Sequence, residues 1–157
     1  MIPFNPSGMM PSPETLLFIQ FTATALMTGI IWFVQIVHYP LFGRIPKEVF
    51  IPYEQAHAVR TGWVVAPIMI LELVTAAALP LLRTPVVGTP LYLAAIGCLL
   101  LIWSSTFLIQ VPLHGLLEKH PDAAAIRRLV TTNWIRTLLW SLRLGLLASL
   151  LLSVKGR

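Results

Sequence analysis

Glu72 and Arg143 are ionisable residues set deep within otherwise apolar runs of this chain of 157 residues. Glu72 lies eleven residues past Thr61, about 16 Å along a helix, and Arg143 nine past Trp134, about 13 Å. An unpaired charge that deep in hydrocarbon costs at least ~2.5–3.5 kcal/mol, so such residues pair or face a cavity. The spacing predicts a buried Glu72–Arg143 pair. It would act either as a clasp that fixes packing or as a centre that polarises a lipid-soluble ligand or relays a proton.

Other polar residues gather on helical faces. Asn133, Arg136, Trp140 and Arg143 fall at i, i+3, i+7 and i+10, which is one face. Thr24, Thr28, Gln35 and His38 make a second stripe, and Gln110 and His114 stack one turn apart. Four helices that each present a polar edge predict a polar cavity open toward the long connections. The alternative is plain interhelical hydrogen bonding, worth about 0.6 kcal/mol per contact. His38, His57 and His114 fall near the same interface, with His120 beyond it. Histidines so placed suit proton transfer. Haem or metal ligation by His38 and His114 is the alternative, but no HxxxH or HxxE spacing occurs within a helix and carboxylates are few. No metal site is expected, and the cofactor is left open. The candidate catalytic residues are Glu72, Arg143, His57 and His114; the candidate ligand-binding residues are Gln35, His38, Tyr53, Gln110, Asn133 and Arg136.

Apolar runs over 15–38, 61–82, 88–111 and 134–154 must position these groups. Each is close to the ~20 residues that cross ~30 Å of hydrocarbon. Hydrophobic residues make 57% of the chain and charged ones 11%, against about 25% charged in soluble domains. Helices alone satisfy the backbone in lipid at this segment length, so the fold predicted is all-α: one four-helix transmembrane bundle. Cys98 is the only cysteine, which excludes a structural disulfide. The net charge of +5 sits mostly in the connections, where it suits lipid headgroups rather than nucleic acid. Residues 1–13 lack Lys and Arg and read as an extended, proline-bearing tail rather than a cleavable signal. Residues 39–60 and 112–133 read as two long loops on one side of the membrane, carrying Arg44, Lys47, Arg60, Lys119, Arg127 and Arg128. The opposite side carries Arg83, Lys155 and Arg157. That bias predicts a multi-pass protein of the cell membrane with cytoplasmic long loops and both termini outside.

The halves of the chain match in order. Trp32-x-x-Gln35 answers Phe107-x-x-Gln110, Pro40-Leu41 answers Pro112-Leu113, and Thr61-Gly62-Trp63 answers Thr132-Asn133-Trp134. The series predicts two tandem hairpins related by a pseudo-twofold along the membrane normal. Pro52 is expected to start a helix that carries His57 into the second span, and Pro67 to kink that span. Trp32, Trp63, Trp103 and Trp134 read as an interfacial belt, with a stacking platform as the alternative. Ala25-xxx-Gly29 and Gly145-xxx-Ser149 would permit close helix contact. Asp122 is expected to start a short surface helix with Ile126, Leu129 and Val130 toward lipid. Leu138, Leu142, Leu146 and Leu150 should face lipid on the fourth span.

Tyr53-x-x-x-His57 leads into an apolar helix with Pro67. Val111-Pro112-Leu113-His114 closes the third run, and Leu129 through Asn133-Trp134-x-Arg136-Thr137 opens the fourth. Together these resemble the anthrone-oxygenase-like family of small four-helix membrane proteins, over roughly residues 15–150. The resemblance implies oxygenation of a polycyclic phenolic substrate, and Tyr53, His57, His114, Asn133 and Arg136 match its pattern. Family members tend to an Asn-rich stretch after the third-helix proline, where this chain has Leu113-His114-Gly115. Three function classes follow: an oxidoreductase or oxygenase acting on a lipophilic aromatic or quinone-like molecule, a non-enzymatic ligand-binding or transport protein, and a structural subunit of a homo- or hetero-oligomeric membrane complex.

Overall fold

A computed structural model describes residues 11–155. Pro3, Pro6 and Arg157, which entered the readings of the tail and of the charge bias, lie outside them. Four rods make the fold: α1 (Pro13–Phe42), α2 (Lys47–Leu82), α3 (Pro90–Leu117) and α4 (Ala123–Val154), each long and apolar enough to cross a membrane. The architecture is the all-α, four-helix one that hydropathy predicts, and it fits a multi-pass membrane protein.

The rods overrun the apolar stretches. Most of 39–60 and 112–133 is helix, and only short turns at 43–46 and 118–122 join the rods at that end. At the opposite end, residues 83–89 make the connection. Hydropathy marks where lipid begins and leaves the hydrogen-bonded ends of a helix undefined; those ends are set by caps. Ser12 accepts from Thr15 N at 3.2 Å to start α1, and Thr89 accepts from Tyr92 N at 3.3 Å to start α3. Asp122 Oδ1 accepts from Ala124 N at 2.7 Å and Ala125 N at 3.2 Å to start α4. The helix after Asp122 is thus the first part of α4 and no separate surface anchor. Leu129 is buried in the core rather than turned to lipid, and Ile126 and Val130 pack beside it. The helix holding His57 begins at Lys47, so Pro52 lies inside it. At the 83–89 end, Arg83 (φ 49°) and Gly88 (φ 91°) take the left-handed conformations that turn the chain back.

Both odd rods contain a π turn, Val34–His38 in α1 and Thr106–Gln110 in α3. Each ends one residue before a proline-led α segment, at Tyr39-Pro40 and at Val111-Pro112. Proline lacks the N–H that its i−4 carbonyl needs, and wider i→i+5 bonds form instead: Tyr39 N to Val34 O, and Val111 N to Thr106 O. Aligned on these prolines, His38 stands opposite Gln110, which differs from the Gln35–Gln110 pairing expected from sequence.

The bundle is held along three seams, α1–α2, α1–α4 and α3–α4. Two apolar cores fill it. One, around Phe42, Phe50, Leu117, Leu129 and Trp140, lies toward the double-turn end, and the other, around Leu17, Leu79, Ala95 and Leu147, toward the 83–89 end. Leu138 and Leu142 are exposed as expected, but Leu150 belongs to the second core. Gly29 and Gly145 are exposed with open space around them, so neither small-residue motif mediates a helix contact within the chain.

Candidate functional site

Between the two cores lies a closed polar layer. Arg143 on α4 is fully buried and ion-paired with Glu72 on α2. The same Arg143 Nη1 donates to Thr24 on α1, while Nε donates to Ala95 O at 3.3 Å and Nη2 to Gln20 Oε1 at 3.3 Å. Glu72 also accepts from the Thr24 hydroxyl at 2.5 Å and from Trp140 Nε1 at 3.2 Å. All four rods meet here, and both charges are balanced by opposite charge and hydrogen bonds together, as burial demands. The pair predicted from depth alone is present.

A second polar assembly lies at the double-turn end. Glu54 and Arg136, both buried, are joined through two intervening side chains. Arg136 Nη2 donates to the Tyr39 oxygen at 3.4 Å, Tyr39 OH meets His114 Nε2 at 2.9 Å, and His114 Nδ1 meets Glu54 Oε1 at 2.5 Å. With Glu54 ionised, His114 Nδ1–H must donate to it, which leaves Nε2 to accept the Tyr39 proton. Behind this chain, Asn133 Oδ1 accepts from Arg136 Nε at 3.0 Å and Nη2 at 2.6 Å, and Asn133 Nδ2 donates to Gln35 Oε1 at 2.8 Å. Gln35 Nε2 donates in turn to Val130 O at 3.2 Å. The buried guanidinium is thereby fixed in plane and direction.

A third strand of the network is a histidine pair. His38 Nε2 and His57 Nδ1 are 2.8 Å apart, and Thr61 Oγ1 is 3.1 Å from the same His57 nitrogen. His57 Nε2 has no hydrogen-bond partner among the described residues.

Next to these groups is a cavity of about 310 Å³. Its polar and aromatic lining includes Tyr39, His57, Gln110, His114, Arg136 and Trp140 together with Thr61, Thr106 and Glu118, and side chains such as Met27, Ile31 and Val65 make its apolar walls. Gln110 is buried; its Nε2 donates to Thr132 Oγ1 at 3.0 Å, and its Oε1 has no partner among the described residues. An unpaired buried acceptor is costly and marks a place where a ligand donor belongs.

The structure therefore divides the residues picked out from sequence. His57, His114, Gln110 and Arg136 line the cavity. His38, Gln35 and Asn133 stand behind it as hydrogen-bond partners. Tyr53 is exposed, packs edge-on against Phe42 at 5.9 Å, and is not among the lining residues. Glu72 and Arg143 do not line it either; Trp140 alone touches both polar layers. Glu54 and Tyr39 were missed as site residues. The signal for Glu54 was Glu54-x-x-His57, an i, i+3 pair on one face, hidden because the segment reads as loop; Tyr39, beside His38, carried no such spacing. Among the described residues no three His, Cys, Asp or Glu side chains form a metal-binding group. Both ring nitrogens of His114 are engaged, by Glu54 and by Tyr39. No family model matches this chain, and no curated protein or solved structure matches it either.

Proposed function

We propose that this protein binds a lipophilic hydroxylated aromatic molecule in the cavity at the double-turn end and removes its hydroxyl proton, the opening step of oxidation or oxygenation of such a compound. The reading is carried by one observation: a mostly apolar cavity whose polar lining holds two imidazoles, a phenol, a guanidinium, the Glu118 carboxyl and an unpaired amide oxygen. Apolar walls with a few convergent polar groups are what small-molecule sites look like. In this reading Gln110 Oε1 accepts a ligand hydroxyl or amide hydrogen. His57 takes the hydroxyl proton on Nε2 and passes one from Nδ1 to His38, which is half-buried toward the bundle end. Arg136 balances the negative charge left on the ligand oxygen or on Tyr39, and the Glu54–His114 dyad holds the Tyr39 proton. The likeness to anthrone-oxygenase-like proteins points to the same substrate class, an oxidoreductase substrate with a polycyclic phenol. Glu72 and Arg143, sealed off from the cavity, serve as the clasp of the bundle. The excess of basic residues near the double-turn end supports placing that end in the cytoplasm, and the matched π turns support an origin in two tandem hairpins.

A second reading, a carrier that binds the same ligand without chemistry, shares the cavity but needs no proton path. The test is 2-naphthol added to the protein in lipid nanodiscs, with the naphtholate absorbance band recorded. The proposal expects a saturable naphtholate band near neutral pH, lost in His57→Gln. Saturable binding with neutral naphthol spectra leaves the carrier; no saturable binding overturns both.

A further inference from the structure

Three seams of the bundle are packed, and the fourth is not. Rods α2 and α3 make few close approaches, most of them where Lys47–Ala78 meets Val111–Leu117. At that end the Glu54–His114 contact and the bond from Gln55 Nε2 to Glu118 O at 3.4 Å tie them together. At the opposite end Tyr92 OH donates to Ala76 O at 3.1 Å. Between these ties the rods stand apart, and this stretch carries cavity-lining residues of both: Ala58, Thr61, Gly62 and Val65 on α2, Thr106, Gln110 and Val111 on α3. On α2 those four fall at i, i+3, i+4 and i+7, a single stripe along the open edge. Gly62 and, beyond the gap, Gly115 both line the cavity, and a Cβ on either would meet nothing within 4 Å. Val111 lines the cavity and is half exposed.

Resting on the functional reading above, we infer that the ligand is the aromatic head of a tailed lipid, such as an alkylated or prenylated phenol or quinol, which enters sideways from the bilayer between α2 and α3 and leaves its tail in that seam. Two quantities decide for a tail outside. The cavity, about 310 Å³, sits at the lower edge of the ~300–1,000 Å³ range of small-molecule pockets, so it holds a compact head and little more. Exposed side chains beside the gap include Trp63, Phe107, Leu108 and Val111, and an alkyl chain laid along them is as well solvated as in the membrane. The unpaired Oε1 of buried Gln110 supplies the acceptor that a phenol or quinol hydroxyl satisfies and a plain alkane does not.

The experiment uses the protein in nanodiscs with two probes, 2-naphthol carrying a dodecyl tail and the same compound brominated midway along that tail. Head occupancy is read from the naphtholate band and tail position from bromine quenching of tryptophan fluorescence. Trp63 follows Gly62 on α2 and is strongly exposed, while Trp134 forms an edge-on pair with Trp32 on the α1–α4 side, ring centroids 5.6 Å apart. Both are exposed, so Trp63→Phe and Trp134→Phe leave the packing intact. The expected result is saturable quenching that parallels the naphtholate band, with most of it lost in Trp63→Phe and none in Trp134→Phe. Gly62→Phe, whose Cβ would meet nothing within 4 Å, sets a ring at the gap and should weaken binding of the tailed probe more than that of 2-naphthol. A naphtholate band with quenching that is lost in Trp134→Phe, or that does not saturate, overturns the lateral route and leaves the cavity reading standing. Absence of the band overturns both.

Discussion

Removing one member of the Glu72–Arg143 pair should cost far more than removing both in proportion. In Glu72→Gln, Arg143 keeps its bonds to Thr24, Gln20 and Ala95 O but loses its only counter-charge. In Arg143→Leu, Glu72 keeps Thr24 and Trp140 Nε1 but loses its counter-charge while still buried. Breaking a buried pair from one side typically costs ~3–5 kcal/mol, because the survivor is left uncompensated. The two single variants together should therefore lose about 6–10 kcal/mol. The double variant buries no charge. It loses the Arg143 bonds to Thr24, Gln20 Oε1 and Ala95 O, each worth ~1 kcal/mol net, and sets Leu among the polar side chains of that layer. Its cost should be about 2–4 kcal/mol, which leaves an interaction energy of about 2–8 kcal/mol. Reversible unfolding in mixed micelles, titrated with SDS, measures all four corners of this cycle. An ordinary interhelical hydrogen bond would give about 0.6 kcal/mol. Additivity within ~0.5 kcal/mol would refute the reasoning, since it would mean that the charges do not depend on each other. The double variant should also retain the naphtholate signal, because neither residue lines the cavity.

Glu54→Gln and Tyr39→Phe should separate two roles around the cavity: Glu54→Gln frees the His114 ring and lowers the naphtholate yield, while Tyr39→Phe leaves Arg136 without its cavity-side acceptor and weakens naphthol binding, both read from the same titration. Asp122→Ala removes the cap that accepts two backbone N–H groups at the start of α4 and should cost about 1 kcal/mol in the SDS titration. Asp122→Asn should restore most of it.

Hydropathy made the number of rods and their all-α character legible, because lipid-spanning runs admit one backbone solution. Depth arithmetic likewise made Glu72 and Arg143 partners, since two charges of opposite sign at one level in hydrocarbon have few other fates. The double-turn end was harder to read. Pro40, Pro46 and Pro52 with their polar neighbours resemble loop, yet Pro40 and Pro52 lie within rods and only Pro46 marks a helix start. Contacts there join residues far apart in sequence: Glu54 meets His114 across 60 positions and Gln35 meets Asn133 across 98. No local pattern encodes such a pairing. The stripe of Asn133, Arg136, Trp140 and Arg143 was visible as a face, but not that its upper part serves the cavity while Arg143 serves the clasp. The open α2–α3 seam has no sequence signature, for it is an absence of packing rather than a motif.

The vertical placement of charge also bears on how the chain is made. Both buried acids, Glu54 and Glu72, belong to α2, and both buried arginines, Arg136 and Arg143, to α4. Arg143 follows Glu72 by 71 positions. At ~5–20 residues per second of synthesis, Glu72 would wait roughly 4–14 s for its partner to emerge. During that interval an α2 released alone into lipid would carry an unneutralised carboxylate, or take up a proton to shed the charge. Splitting the opposite charges between α2 and α4 thus sets an interval in synthesis during which Glu72 exists and its partner does not, and protonation of Glu72 or keeping α2 out of the lipid would bridge it.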